Sequence, residues 1–158
     1  MKFKQFQFLK NEAIKKLTAL EQEPLRLRKR TIEECLSADA VMLAYIGDAV
    51  YSMYVRERVV QMNISKVQVL HTIVTEFICA KSQAKVLLEI EDTFTEQEQA
   101  IARRARNSNV NVPKSSSVQE YRSSTAFEAV LGFLYETHQD ERLQDVMKQA
   151  FSITLRGM

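Results

Sequence analysis

The segment Ala40-Val-Met-Leu-Ala-Tyr-Ile-Gly-Asp-Ala-Val-Tyr-Ser-Met-Tyr-Val55 is apolar nearly all round, the pattern of a helix at the centre of a helical core. Two of its residues do not suit that role. Gly47 costs about 1 kcal/mol relative to alanine inside a helix, and Asp48 is a poor helix former whose bare carboxylate is expensive to desolvate. A second segment repeats the anomaly. In Ala126-Phe-Glu-Ala-Val-Leu-Gly-Phe-Leu-Tyr135, Glu128 is the sole charge, and Gly132 lies one turn further along the same face. Each acid therefore has a glycine nearby, where another helix can come close. If the two helices cross there, Asp48 and Glu128 meet.

Two carboxylates that meet away from bulk water need a proton or a cation between them. Oxygen-only ligands select Mg²⁺, with Mn²⁺ as a chemically acceptable substitute, and Mg²⁺ commonly keeps waters beside one or two carboxylates and a substrate phosphate. The alternative is that each acid sits in an internal salt bridge, for which Arg122, Lys81 and His71 are available. Neither helix carries a basic residue one turn from its acid, which tilts the balance towards metal. Spacing alone goes no further.

The rest of the chain supports an all-α fold. Its 158 residues suit one domain, and three glycines and two prolines leave little turn chemistry for a many-stranded sheet. Phe6, Leu9, Ala13, Leu17 and Leu20 recur at helical spacing and predict an amphipathic helix over residues 3–21, followed by Pro24. A short helical turn is expected around Ile32–Leu36. Ser37 is then the expected N-cap of a helix to Met62, and Ser65 that of one long helix to Ile90. Thr95 and Glu98 form a capping box for a helix to Asn107. Residues 107–117 make a loop, and helices are predicted over 124–137 and 140–155. Cys35 and Cys79 are isolated, so zinc is not expected and the thiols fit a reducing, cytoplasmic setting. Residues 40–60 are too often interrupted by charge to span a membrane, and the first twenty residues do not read as a secretory signal.

Leu43-Ala-Tyr-Ile-Gly-Asp-Ala-Val50 resembles the signature segment of ribonuclease III, and Ser124-Thr-Ala-Phe-Glu-Ala-Val-Leu-Gly132 resembles its second acidic motif. Further matching stretches are Leu70-His71, Ala80-Lys-Ser-Gln-Ala84, Arg103-Arg-Ala-Arg-Asn107, Pro113-Lys114 and Val118-Gln-Glu-Tyr-Arg122. The whole is similar to Mini-ribonuclease III, the short bacterial subgroup that has the nuclease domain without a double-stranded-RNA-binding domain. The similarity covers roughly residues 37–152, and a chain of this length leaves no room for a further domain. It implies a ribonuclease III-type helical domain over residues 31–158; the charge count and helical spacing of residues 1–30 make them a basic amphipathic arm before it. It also implies a homodimeric endoribonuclease that hydrolyses double-stranded RNA, with precursor 23S ribosomal RNA as substrate. Asp48 and Glu128 fall on the family's metal-binding catalytic acids. The products would carry 5′-phosphate and 3′-hydroxyl ends.

Two positions depart from the larger family, which has Glu where this chain has Ala44 and Asp where it has Thr125. The Mini subgroup shares this reduction, which leaves fewer ligands per site. His71 is not required as a general base; it is expected to pack or hydrogen-bond beside the site.

Arg103, Arg104, Arg106 and Lys114 cluster around the loop with few acids nearby, and the resemblance makes them candidates for RNA phosphates, with Lys81 and Arg122 as further ones. The bland alternative is a solvated loop. The first thirty residues hold nine Lys/Arg against three Glu, enough to touch nucleic acid or simply to form a solvated face. A non-catalytic RNA-binding or ribosome-associated scaffold on the same fold is the rival to an enzyme.

Overall fold

The computed structural model describes residues 1–22, 28–108, 111–114 and 116–158. Pro24 and Arg26, on which the expected end of the first helix and part of the basic arm fall, lie outside these, as do residues 109–110 and 115 of the loop. All regular structure among the described residues is helical: α1 (Phe3–Gln22), α2 (Ile32–Ser37), α3 (Ala40–Val60), α4 (Val67–Ile78), α5 (Ala80–Ile90), α6 (Glu96–Arg106), α7 (Val118–Glu136) and α8 (Asp140–Arg156).

The centre is α7, buried almost continuously from Ser124 to Leu134, and the most extensive helix–helix packing in the protein is that of α3 on α7. Helices α5 and α6 cover other sides of α7, while α4 lies on α3 and α8 closes the base. Tyr51 of α3 meets Phe127 of α7 edge-on at 5.3 Å between ring centroids, and Phe77 stacks on Phe151 at 4.5 Å. Helix α1 is different. Its apolar residues Phe3, Phe6, Phe8, Leu9, Ile14, Leu17 and Leu20 are exposed.

Four boundaries differ from the sequence expectation. Ser37 ends α2, bonding back to the carbonyls of Glu33 and Glu34, and it is Asp39 that caps α3 through the Val41 amide at 3.0 Å. Residues 65–90 form two helices, not one. Cys79 is extended (φ −70°, ψ 151°) and serves as C-cap of α4 and N-cap of α5. The break lets α4 lie on α3 while α5 turns onto α7, which one straight rod could not do. Ser65 is not the cap of α4; Lys66 occupies that position without a side-chain bond. Finally α7 starts at Val118, not Ser124, because Ser117 and Glu120 form a capping box. The box at Thr95 and Glu98 is present as expected.

Candidate active site

Gly47 and Gly132 set the site. A methyl group at Gly47 would collide with the Glu128 carbonyl oxygen and come within 2.8 Å of the Gly132 nitrogen; one at Gly132 would strike the Leu43 carbonyl, its carbon only 2.6 Å away. Helices α3 and α7 thus cross backbone to backbone, and each glycine occupies a place where only hydrogen fits. Because Asp48 follows Gly47 directly, the crossing brings its carboxylate up to Glu128.

The electrostatics of the pair reflect that proximity. Burial first, and then the charge of Asp48, push the Glu128 carboxyl up to about 8, while the amide of Gln83 on α5 pulls the other way. Asp48 is more open to solvent; partial burial raises its carboxyl too, opposed by Arg56 two turns along α3. Neither acid has an ion-pair partner among the described residues. Arg122, Lys81 and His71, the cations that a structural salt bridge would use, are all exposed and pair with neither. With Glu128 raised to about 8, the metal-free pair holds a proton at neutral pH, in the place that a bound cation would take.

The donor set fits a hard divalent cation. Among the described residues no cluster of three or more His, Cys, Asp or Glu side chains is placed to hold a metal. What the site offers is two carboxylates, enough for Mg²⁺ or Mn²⁺ when water and a phosphate supply the remaining oxygens. The neutral positions Ala44 and Thr125 lie one turn before each acid and are 4% and 5% exposed. The Thr125 hydroxyl is engaged, donating to the Tyr121 carbonyl at 2.9 Å. Sequence reasoning passed over Gln83, which is 1% exposed with neither amide atom making a hydrogen bond of ordinary geometry among the described residues. Only its place in the matching stretch Ala80–Ala84 pointed towards it.

The basic candidates divide. Arg103, Lys114, Lys81 and Arg122 are exposed. Lys81 stands close enough to Glu120 to help hold that carboxyl below its usual range, behind the larger effect of the bonds from Ser117. Arg104 instead donates to the carbonyls of Leu36 and Ala38, tying α6 to the α2–α3 turn. Arg106 pairs with Glu91 at 2.8 Å and shares a shallow cleft with Arg122 and Asn107.

Residues 41–139, from the start of α3 to just beyond α7, match the ribonuclease III domain. The chain belongs to the ribonuclease III family. It is 40% identical over 124 residues to Mini-ribonuclease 3 of Thermoanaerobacter sp., covering 78% of this chain and 87% of that relative. It is likewise 40% identical over 123 residues to Mini-ribonuclease 3 of Symbiobacterium thermophilum, covering 77% and 95%. A Fusobacterium nucleatum protein of known crystal structure superposes with a TM-score of 0.68 at 28% identity, over 71% of this chain and 92% of the other. The sequence resemblance to Mini-ribonuclease III and the all-α expectation are thereby established, and the protein is an endoribonuclease.

Proposed function

We propose that this ribonuclease III-family enzyme cuts double-stranded RNA in a reaction that requires Mg²⁺ or Mn²⁺ held by Asp48 and Glu128. The observation that carries the reading is the α3–α7 crossing, which sets two carboxylates together with no protein cation between them. A structural salt bridge needs a partner that neither acid has. When bound, the cation supplies Lewis acidity, activating water for attack and offsetting charge on the scissile phosphate. Asp48 and Glu128 would hold it, Glu128 from among the buried residues of α7 and Asp48 from the more open side. Products carry 5′-phosphate and 3′-hydroxyl ends.

Residues 31–158 are the catalytic domain in this reading, and residues 1–30 a basic arm. The RNA backbone is held by Arg103, Lys114, Lys81 and Arg122, which are exposed. Arg104 and Arg106 contribute mainly by fixing the end of α6 from which the loop departs. A homodimer is supported by the outer face of α3, where Met42, Tyr45, Ala49 and Met53 recur at helical spacing and stay exposed, Tyr45 at 86%. A two-fold dimer presents one site to each strand of a duplex. The similarity to Mini-ribonuclease 3 supports precursor 23S ribosomal RNA as substrate and the cytoplasm as its setting. No helix among the described residues is long and apolar enough to cross a membrane.

The decisive experiment is cleavage of structured RNA by the purified protein. Cutting with Mg²⁺ that stops on addition of EDTA supports the proposal. Equal cutting in EDTA removes the metal from it, and RNA binding without cleavage under any divalent ion favours a scaffold.

A further inference from the structure

Gln83 has no structural reason to be a glutamine. It lies on α5 among the buried apolar residues Ala84, Val86 and Leu87, where α5 packs on α7, and its own side chain is 1% exposed. Among the described residues neither Nε2 nor Oε1 makes a hydrogen bond of ordinary geometry. Most buried polar side-chain atoms in proteins are paired, and an unpaired one costs about 1–3 kcal/mol. Leucine or methionine would fill similar space without that cost. The amide stands close enough to the Glu128 carboxyl to pull its pKa down.

We infer that Gln83 is a third protein group of the cation site, its Nε2 serving the Glu128 carboxylate and its Oε1 serving the cation directly or through water. The inference rests on Asp48 and Glu128 holding that cation. An amide offers one donor group and one acceptor, and the loaded site has a use for each. An ionised carboxylate accepts hydrogen bonds only, and metal-ligating carboxylates are held in orientation by such donors. The site is also short of oxygen: Ala44 has none to give and the Thr125 hydroxyl is spent on Tyr121. A neutral amide oxygen adds a hard donor without a third negative charge beside two that already repel.

The test uses the full chain without RNA. Mn²⁺ binding is titrated by the electron paramagnetic resonance signal of the free ion, and melting is recorded in EDTA, for the wild type, Gln83→Leu, Gln83→Met and Asp48→Asn. Both Gln83 variants should bind Mn²⁺ 10–100-fold more weakly and melt in EDTA no lower than the wild type. The methionine variant, nearly equal in length, keeps the test open if the leucine variant does not fold. Wild-type Mn²⁺ affinity in a folded Gln83 variant would overturn the inference. So would a fall in EDTA melting temperature for both variants, since it would mean the amide already holds the fold together. Wild-type affinity in Asp48→Asn would instead overturn the assignment of the cation to the two acids, and this inference with it.

Discussion

Gly47 lies against the backbone carbonyl of Glu128, so that the residue beside one candidate ligand touches the main chain of the other. The contact allows no methyl group, and the atoms in the way are backbone, not side-chain ends that could swing aside. Gly47→Ala should therefore cost about 3 kcal/mol or more, a fall of roughly 6–12 °C in melting temperature for a domain of this size. Gly132→Ala, facing the Leu43 carbonyl, should behave alike. Cleavage should drop beyond the loss of folded protein, because separating the helices separates the acids. A melting temperature close to that of the wild type would mean that the crossing relaxes easily and does not fix the site.

Asp48→Asn and Glu128→Gln keep shape and remove charge. Each should abolish most cleavage while RNA binding survives. In EDTA neither should lose stability, and Glu128→Gln should gain it, because a carboxylate that burial and a like charge disfavour is gone. Were the acids salt-bridged instead, each change would strand a buried cation at a cost of roughly 3–5 kcal/mol. Melting curves in EDTA separate the two cases.

The same shift predicts a pH dependence. Glu128 titrates near 8 in the folded protein, against an ordinary 4.5. A carboxyl raised on folding binds its proton more tightly in the native state, so its contribution is full below about 4.5 and is lost as pH rises through about 8. Metal-free protein should melt lower at pH 9 than at pH 6, and Glu128→Gln should flatten that slope. Saturating Mg²⁺ should reverse it, since metal competes with the proton. An unchanged slope in the Glu128→Gln variant would assign the pH effect to another group.

The crossing was legible in the sequence because a glycine and a carboxylate are both costly inside an apolar helix, and finding the two together twice leaves few explanations. Helix boundaries were less so. Nothing in Thr75–Ala80 announces the break at Cys79, with neither glycine nor proline there; the turn is imposed by the need to cover α3 and α7 at once. The start of α7 did carry a signal, Ser117 with Glu120, hidden by the loop-like residues before it. Glu98 was legible only in part. Its place in a capping box is local and readable, whereas its burial against Arg142, 44 residues away, is a tertiary contact that no local pattern encodes.

That buried pair gives a stability prediction independent of the active site. Arg142 meets Glu98 through two bonds of 2.9 and 3.0 Å and also donates to the Thr93 carbonyl, joining α8 to the start of α6, and the Glu98 side chain is 1% exposed. Arg142→Met leaves that carboxylate without its charge partner. The expected cost is about 3–5 kcal/mol, read by chemical denaturation, with metal affinity unchanged. A loss below ~1 kcal/mol would show that water readily replaces the guanidinium.

The last prediction divides the basic residues by what they already hold. A side chain that neutralises a phosphate releases counterions, so its removal weakens RNA binding and makes the dependence on salt less steep, by about one unit of slope per contact. Arg103, Lys114, Lys81 and Arg122 are exposed, and replacing all four with alanine should flatten the slope by roughly two to four units with little change in melting temperature. Arg104 and Arg106 have protein partners, the carbonyls of Leu36 and Ala38 and the carboxylate of Glu91. Arg104→Ala should lower stability by about 0.5–1.5 kcal/mol, since it removes two exposed bonds to backbone carbonyls at the α2–α3 turn, while leaving the salt slope nearly intact. Arg106→Ala should do less, because its partner is partly exposed and such pairs contribute little. The two sets are thus told apart by two instruments, a salt titration of RNA binding and a melting curve. If the Arg104 variant instead loses salt dependence at unchanged stability, its bonds to the turn give way to RNA, and the whole end of α6 is an RNA-binding surface.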